Sequence, residues 1–230
     1  MKIGALIEKK EKKDFDWGEG DGGHMREFLE NEIFTLNQYQ SIYPVKEGDV
    51  VVDFGASIGP FTWDIMDKAS KVYAVEPMVE ILDILKDNTS KQGFPVEIIN
   101  KALSFKVGEM DLDDECIIKG LDVRKVKTMD FQCFLEDNKI DNIDFLKCDC
   151  EGGEYSLFSD VNMDFLLNNV GVIVGEWHLH TPMEKIEFRY FRDKYLKQFP
   201  NYEIRSLDGV DIKWDLDNEH FIEYYNQVII

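Results

Sequence analysis

Val50-Val51-Val52-Asp53-Phe54-Gly55-Ala56-Ser57-Ile58-Gly59-Pro60-Phe61 is the stretch whose reading decides the fold. Val50 to Val52 is a short β-branched run suited to a strand covered on both faces. Gly55 and Gly59 free the backbone to turn tightly and to approach a ligand. The apolar residues Phe61, Trp63, Ile65 and Met66 then fit one face of a helix. A strand, a glycine turn and a helix start in this order describe a nucleotide-type cofactor site, because helix amides converge at the turn.

The dinucleotide fingerprint G-x-G-x-x-G is absent from that turn, which has Gly55-x-x-x-Gly59 with Asp53 at the strand end. A carboxylate there suits a ligand carrying an ammonium and a sulfonium better than a pyrophosphate. A second short strand, Val72-Tyr73-Ala74-Val75, ends in Glu76-Pro77, where a doubly wound sheet places its ribose acceptor. Two acids, one for the amino-acid end and one for the ribose, point to S-adenosylmethionine. The plainer reading, a helix cap at Asp53 and a surface acid at Glu76, stands beside it. The cofactor-binding set expected here is Asp53, Phe54, Gly55, Ala56, Ser57, Gly59, Phe61, Glu76 and Pro77. Lys101, Ala102 and Leu103, after a third strand, are expected to flank the adenine.

The chain has 230 residues, 44% of them hydrophobic, and a formal net charge of −20. Its length fits one α/β domain with an N-terminal extension. The acidity repels phosphate backbones, so no nucleic-acid partner is expected. No stretch approaches a membrane span. Met1 to Leu6 is too short for a signal peptide and lysines follow it, so a cytoplasmic protein is expected. Cys116, Cys133, Cys148 and Cys150 lack zinc-finger spacing and read as reduced thiols. Cys148 and Cys150 alternate along a strand and are expected to be buried packing.

Residues 1–44 form the expected N-terminal extension with a helical cap, from the apolar spacing of Met25, Phe28, Leu29, Ile33, Phe34 and Leu36. Residues 45–230 form the catalytic domain. Further strands are expected at Pro95–Asn100, Ile143–Asp149 and Val170–Gly175, and an antiparallel pair at Tyr202–Arg205 and Phe221–Ile229. Short hairpin strands are expected near Glu109–Leu112, Glu115–Ile118 and Val123–Lys127. Helices are expected at Met78–Gln92, Met129–Asp137 and Met183–Phe199, the last opened by Pro182. Strands alternating with helices mean α/β architecture: a mostly parallel seven-stranded, Rossmann-like sheet with helices on both faces. Ligands then lie off the carboxyl ends of the strands, where Asp53, Glu76, Asn100–Leu103, Asp149–Glu154 and Glu176–His180 all fall.

The two motifs resemble those of class I S-adenosylmethionine-dependent methyltransferases. Val126-Lys-Thr-Met-Asp130 and Ile143-Asp-Phe-Leu-Lys-Cys-Asp-Cys-Glu-Gly-Gly-Glu154 are similar to the FkbM family within that class. The resemblance covers Val45 to Glu176. It implies O-methylation, often of sugar hydroxyls in glycans, glycolipids or natural products. Ser57 departs from the family's usual Asn, and Glu176-Trp177-His178-Leu179-His180 is richer in histidine than the family suggests. In-line displacement at a sulfonium methyl needs positioning more than charge stabilisation. Asp149 is expected near the methionine amine and the methyl. Asp149, Glu151, Glu154, Glu176, His178 and His180 are candidates to take the acceptor's proton. A neutral imidazole titrates near pH 7, so His178 comes first, with Asp149 or Glu151 second. The same acids and histidines offer mixed metal ligands, but without tight spacing no metal is expected. Trp17, Tyr39, Tyr43, Trp177 and Trp214 are either a sugar-stacking wall or packing. Competing readings are a nicotinamide-dependent oxidoreductase, a nucleic-acid methyltransferase and a non-catalytic binding module.

Overall fold

The structure, a computed structural model, describes residues 15–18, 26–27, 29–90, 93–112, 124–179, 182–205 and 225–230. Seven strands form the central sheet: β1 (Val50–Phe54), β2 (Lys71–Val75), β3 (Val96–Ile99), β7 (Ile143–Cys148), β8 (Val170–His178), β9 (Glu203–Arg205) and β10 (Tyr225–Ile229). Their order is β3-β2-β1-β7-β8-β10-β9. β1 pairs in parallel with β2 and β7, and β10 lies antiparallel to both β8 and β9. The strand order reverses direction at β1, which opens a crevice beyond its carboxyl end.

A single sheet does not account for the whole chain. β4 (Ala102–Leu103), β5 (Gly108–Leu112) and β6 (Arg124–Met129) form a second, three-stranded sheet in the order β4-β6-β5. The composition of β6 explains this correction. In Arg-Lys-Val-Lys-Thr-Met, Lys125 and Lys127 are exposed and alternate with Val126, so the strand has one wet face and cannot sit in a sheet covered on both sides. The strand expected at Glu115–Ile118 lies outside the described residues.

Helices cover both faces of the main sheet. α1 (Pro60–Ile65), α2 (Leu82–Ser90) and the segment ahead of β1 pack on the face of Val51, Val72, Ala74, Phe145 and Val174. α3 (Phe131–Asn138), α4 (Met163–Asn169) and α5 (Pro182–Lys194) pack on the face of Val52, Phe54, Leu146, Ile173 and Trp177. Asp130 caps α3 by accepting from the Cys133 amide at 2.7 Å. The expected helical cap is two short pieces, a π-helical turn at Glu30–Thr35 and a 3-10 turn at Gln38–Gln40. Asn37 breaks it with φ of 51°, a left-handed conformation Asn tolerates. Its apolar spacing is met by Ile33 and Phe34 packing against Trp63, while Met25 and Phe28 lie outside the described residues.

Candidate active site

The glycine turn forms the first half of the site. The amides of Gly55 and Ala56 both donate to the Val75 carbonyl at 3.0 Å, tying the loop to β2. Gly55 has φ of 78°, and a Cβ there would stand 1.7 Å from the Asp149 carbonyl oxygen, so only glycine fits. Ser57 also takes a left-handed φ, 52°, and its amide donates to Glu76 Oε2 at 2.9 Å. The Met78 amide donates to Glu76 Oε1 at 2.9 Å. Each Glu76 oxygen thus keeps one lone pair for a ligand hydroxyl. Burial raises the Glu76 pKa, opposed by these two amide bonds. The Asn100 side chain donates to the carbonyls of Glu76 and Pro77 and fixes that turn.

Alternation along β1, β7 and β8 builds the second half. Asp53 and Lys147 are register partners on neighbouring strands, and both point to the α1 face. Lys147 Nζ lies 3.2 Å from Asp53 Oδ1 and donates to the Gly55 carbonyl at 2.7 Å. Thr62 of α1 donates to Asp53 Oδ2 at 2.7 Å. Burial favours the neutral amine, yet Asp53, Asp149 and Glu32 outweigh it and hold the Lys147 pKa above the usual lysine range. Beyond Lys147 stands Asp149, whose Oδ2 is 2.7 Å from the Tyr39 hydroxyl. The same hydroxyl is 2.5 Å from Glu32 Oε1. Glu176, on β8, accepts from the Gln38 side chain, and burial with the charges of Asp149 and Glu32 pushes its pKa well up.

His178 closes the far side. Glu154 is fully buried and accepts from the amides of Cys150 and Gly152, both at 2.8 Å, and meets His178 Nδ1 at 2.9 Å. His178 Nε2 faces Glu151 at 3.3 Å and Asp149 at 3.7 Å. Burial favours the neutral ring, but Glu154, then Asp149 and Glu151, push its pKa up to about 10. At neutral pH the ring is therefore an imidazolium, and the expectation that His178 is the base is corrected.

Other expected residues take different places. The Asp53 carboxylate lies wholly inside the protein, gripped by Thr62 and Lys147 rather than open to a ligand. The Phe54 side chain packs on Phe134 and that of Phe61 on Phe145, both in the core. Ala102 and Leu103 are paired into β4, and Lys101 meets Asp137 at 3.2 Å. The sugar-stacking wall is not assembled. Trp177 is buried on the opposite face against Phe191, Trp17 packs on Phe15, and Tyr43 is exposed. Cys148 is buried, with its sulfur 3.7 Å from that of Cys150. His180, Cys116 and Trp214 lie outside the described residues. Asp149, Glu176 and His178 bring ligand-type atoms within 4.8 Å of one another. They would take a cation only by giving up the protons and the Tyr39 and Gln38 bonds that now pair them.

Sequence reasoning missed Glu32, Gln38 and Lys147 and read Tyr39 as an aromatic wall or packing. Lys147 was findable: it alternates with Phe145 and Asp149, so one face of β7 runs from apolar to charged. Glu32 and Tyr39 stand seven residues apart, which is helical spacing, but nothing local says that both turn inward.

The methyltransferase FkbM domain matches residues 53–203. No curated protein matches the chain. Among solved structures, the FkbM methyltransferase of Methylobacillus flagellatus KT superposes with a TM-score of 0.54 at 15% identity, over 88% of this chain and 48% of its own. The fibrillarin/Nop5p complex matches with a TM-score of 0.52 at 13% identity, over 85% of this chain and 77% of its own. An rRNA methylase of Streptococcus thermophilus follows at 0.49 and 12%, over 90% and 93%. The exclusion of nucleic acid is corrected: the fold is shared with the fibrillarin/Nop5p complex, so net acidity alone does not exclude such a partner. Net charge is a sum over the whole surface, whereas a groove binds through its local field. Among the described residues, no helix is long and apolar enough to cross a membrane.

Proposed function

The chain belongs to the FkbM methyltransferase family, which makes it an S-adenosylmethionine-dependent methyltransferase, and on that premise we propose that it methylates a hydroxyl group of a sugar in a glycan, glycolipid or natural product. The observation that carries this reading is the set of carboxyl groups gathered at the strand ends. Asp53 and the partly exposed Asp149 face Lys147 and His178, with Glu32 and Glu176 behind Asp149 and Glu76 at the end of β2. Such a site suits a donor with an ammonium and a sulfonium, and the free lone pairs of Glu76 suit its ribose.

The donor supplies an electrophilic methyl group; the protein supplies place and proton traffic. The Gly55–Gly59 loop and Glu76 hold the nucleoside. Asp149, with a 22% exposed side chain, faces the ammonium, while buried Asp53 orients Lys147 behind it. Asp149 takes the acceptor's proton, and its Oδ1 is steadied by His178 Nε2. Glu151, half exposed and also facing His178, orients the acceptor at the mouth. Residues 45–230 form the transferase domain in this reading, with residues 1–44 as its cap. A cytoplasmic setting accords with the neighbouring free thiols of Cys148 and Cys150.

Incubation with methyl-labelled S-adenosylmethionine and a panel of sugars, glycolipids and RNA oligonucleotides tests the acceptor class. Label on a sugar hydroxyl is the expected result. Label confined to a base nitrogen of RNA contradicts it.

A further inference from the structure

We propose that Glu32 is the final holder of the proton that the methyl-accepting hydroxyl gives up, reached from Asp149 through the Tyr39 hydroxyl. The inference rests on the donor and acceptor chemistry proposed above. Its basis is a proton count. The Tyr39 oxygen stands 2.5 Å from Glu32 Oε1 and 2.7 Å from Asp149 Oδ2. Two O–H···O links need two protons, and a phenol supplies one. Two ionised carboxylates would leave one link without a proton, so in the donor-free protein a carboxyl carries the second.

The surroundings place it on Glu32. Glu32 is 5% exposed. Asp149 beyond β7 faces it with negative charge; Lys147 opposes that charge, and hydrogen bonds with Tyr39 and with Glu176 on β8 favour the ionised form. Burial first, then the Asp149 charge, pushes its pKa up to about 7. Asp149 by contrast has Lys147 Nζ 3.8 Å away and His178 Nε2 3.7 Å away.

A positively charged donor bound beside Asp149 favours the ionised form of Glu32, so binding sends its proton to solvent and leaves the relay empty. When methyl transfer removes that positive charge, the acceptor's O–H bond breaks and an O–H forms on Asp149. The Asp149 proton passes to the Tyr39 oxygen as the Tyr39 proton passes to Glu32. One sulfonium charge is lost and one carboxylate is neutralised, so the net charge of the buried site is the same before and after. No ion has to be exchanged with water during the step.

Calorimetric titration in buffers of different ionisation enthalpy measures the proton release directly. At pH 7 the wild type is expected to release about half a proton per S-adenosylmethionine bound. S-adenosylhomocysteine, which lacks the sulfonium charge, is expected to release several-fold less. Glu32→Gln is expected to bind the donor with little or no release, and Glu32→Asp to restore it. The wild-type pH dependence of release, centred near the Glu32 pKa, serves as a second measurement if Glu32→Gln does not fold. Unchanged release in Glu32→Gln, or none in the wild type between pH 5 and 8, overturns the proposal. Failure of either titrant to bind overturns the cofactor reading itself, and this inference with it.

Discussion

The two faces of the central sheet are made by the same strands, yet they end differently. On one face, Val52, Phe54, Leu146, Ile173 and Trp177 stay apolar up to the carboxyl edge. On the other, Val51, Phe145 and Val174 give way to Asp53, Lys147 and Glu176 over the last turn of alternation. The first face contributes stability through buried apolar area. The second gives some of it up, because buried charges hold together only while each keeps its partner. One backbone can therefore carry a core and a reactive site with a single change of pattern at its strand ends.

Breaking the charged face should have the largest effect. Lys147→Met leaves Asp53 buried without its ammonium and should destabilise the protein by about 3–5 kcal/mol in denaturant unfolding at pH 7. Adding Asp53→Asn should recover a large part of that loss. If the single variant is as stable as the wild type, the charged face is not the strained one.

A pH series sharpens the contrast next. His178 has its folded pKa raised to about 10 from an ordinary 6.5. Its contribution is therefore fully present below about pH 6.5 and is lost as pH rises through about 10, up to about 5 kcal/mol. His178→Gln should flatten the stability profile over that window. A change in the same window for Phe54→Leu would show the two faces to be coupled.

How much of this contrast was legible in the sequence follows from the range of the forces. β1, its glycine turn, β2 and Glu76 are set by local chemistry: β-branched runs, left-handed glycines and a carboxylate next to loop amides. The charged face is not local. Glu32, Tyr39, Asp53, Lys147, Asp149 and Glu176 come from four separate stretches, and only the sheet register and the Asn37 break bring them together. His178 was legible as a site residue but not in its protonation, because the buried Glu154 that sets it reads as a helix-start acid. The strands β5 and β6 were legible as hairpin strands, but not their separate sheet, because the pairing of β6 with Ala102–Leu103 is set by tertiary packing.

The apolar face should answer weakly to conservative changes. Phe54→Leu should cost about 1–2 kcal/mol and leave donor affinity unchanged, since only the Phe54 carbonyl faces the site. A tenfold loss of donor affinity there would contradict the division between the faces. Smallest of all, Trp177→Phe gives up buried ring area but removes an indole N–H that has no partner among the described residues, and should stay within about 1 kcal/mol of the wild type in thermal unfolding.

The central claim is that the acidic strand ends receive a positively charged methyl donor. Calorimetric titration of the wild type with S-adenosylmethionine and, separately, with NAD tests it most directly. The account predicts saturable binding of S-adenosylmethionine, weakened at least about tenfold by Asp149→Asn, and no binding of NAD. Binding of NAD without S-adenosylmethionine, or an affinity indifferent to Asp149→Asn, would contradict it.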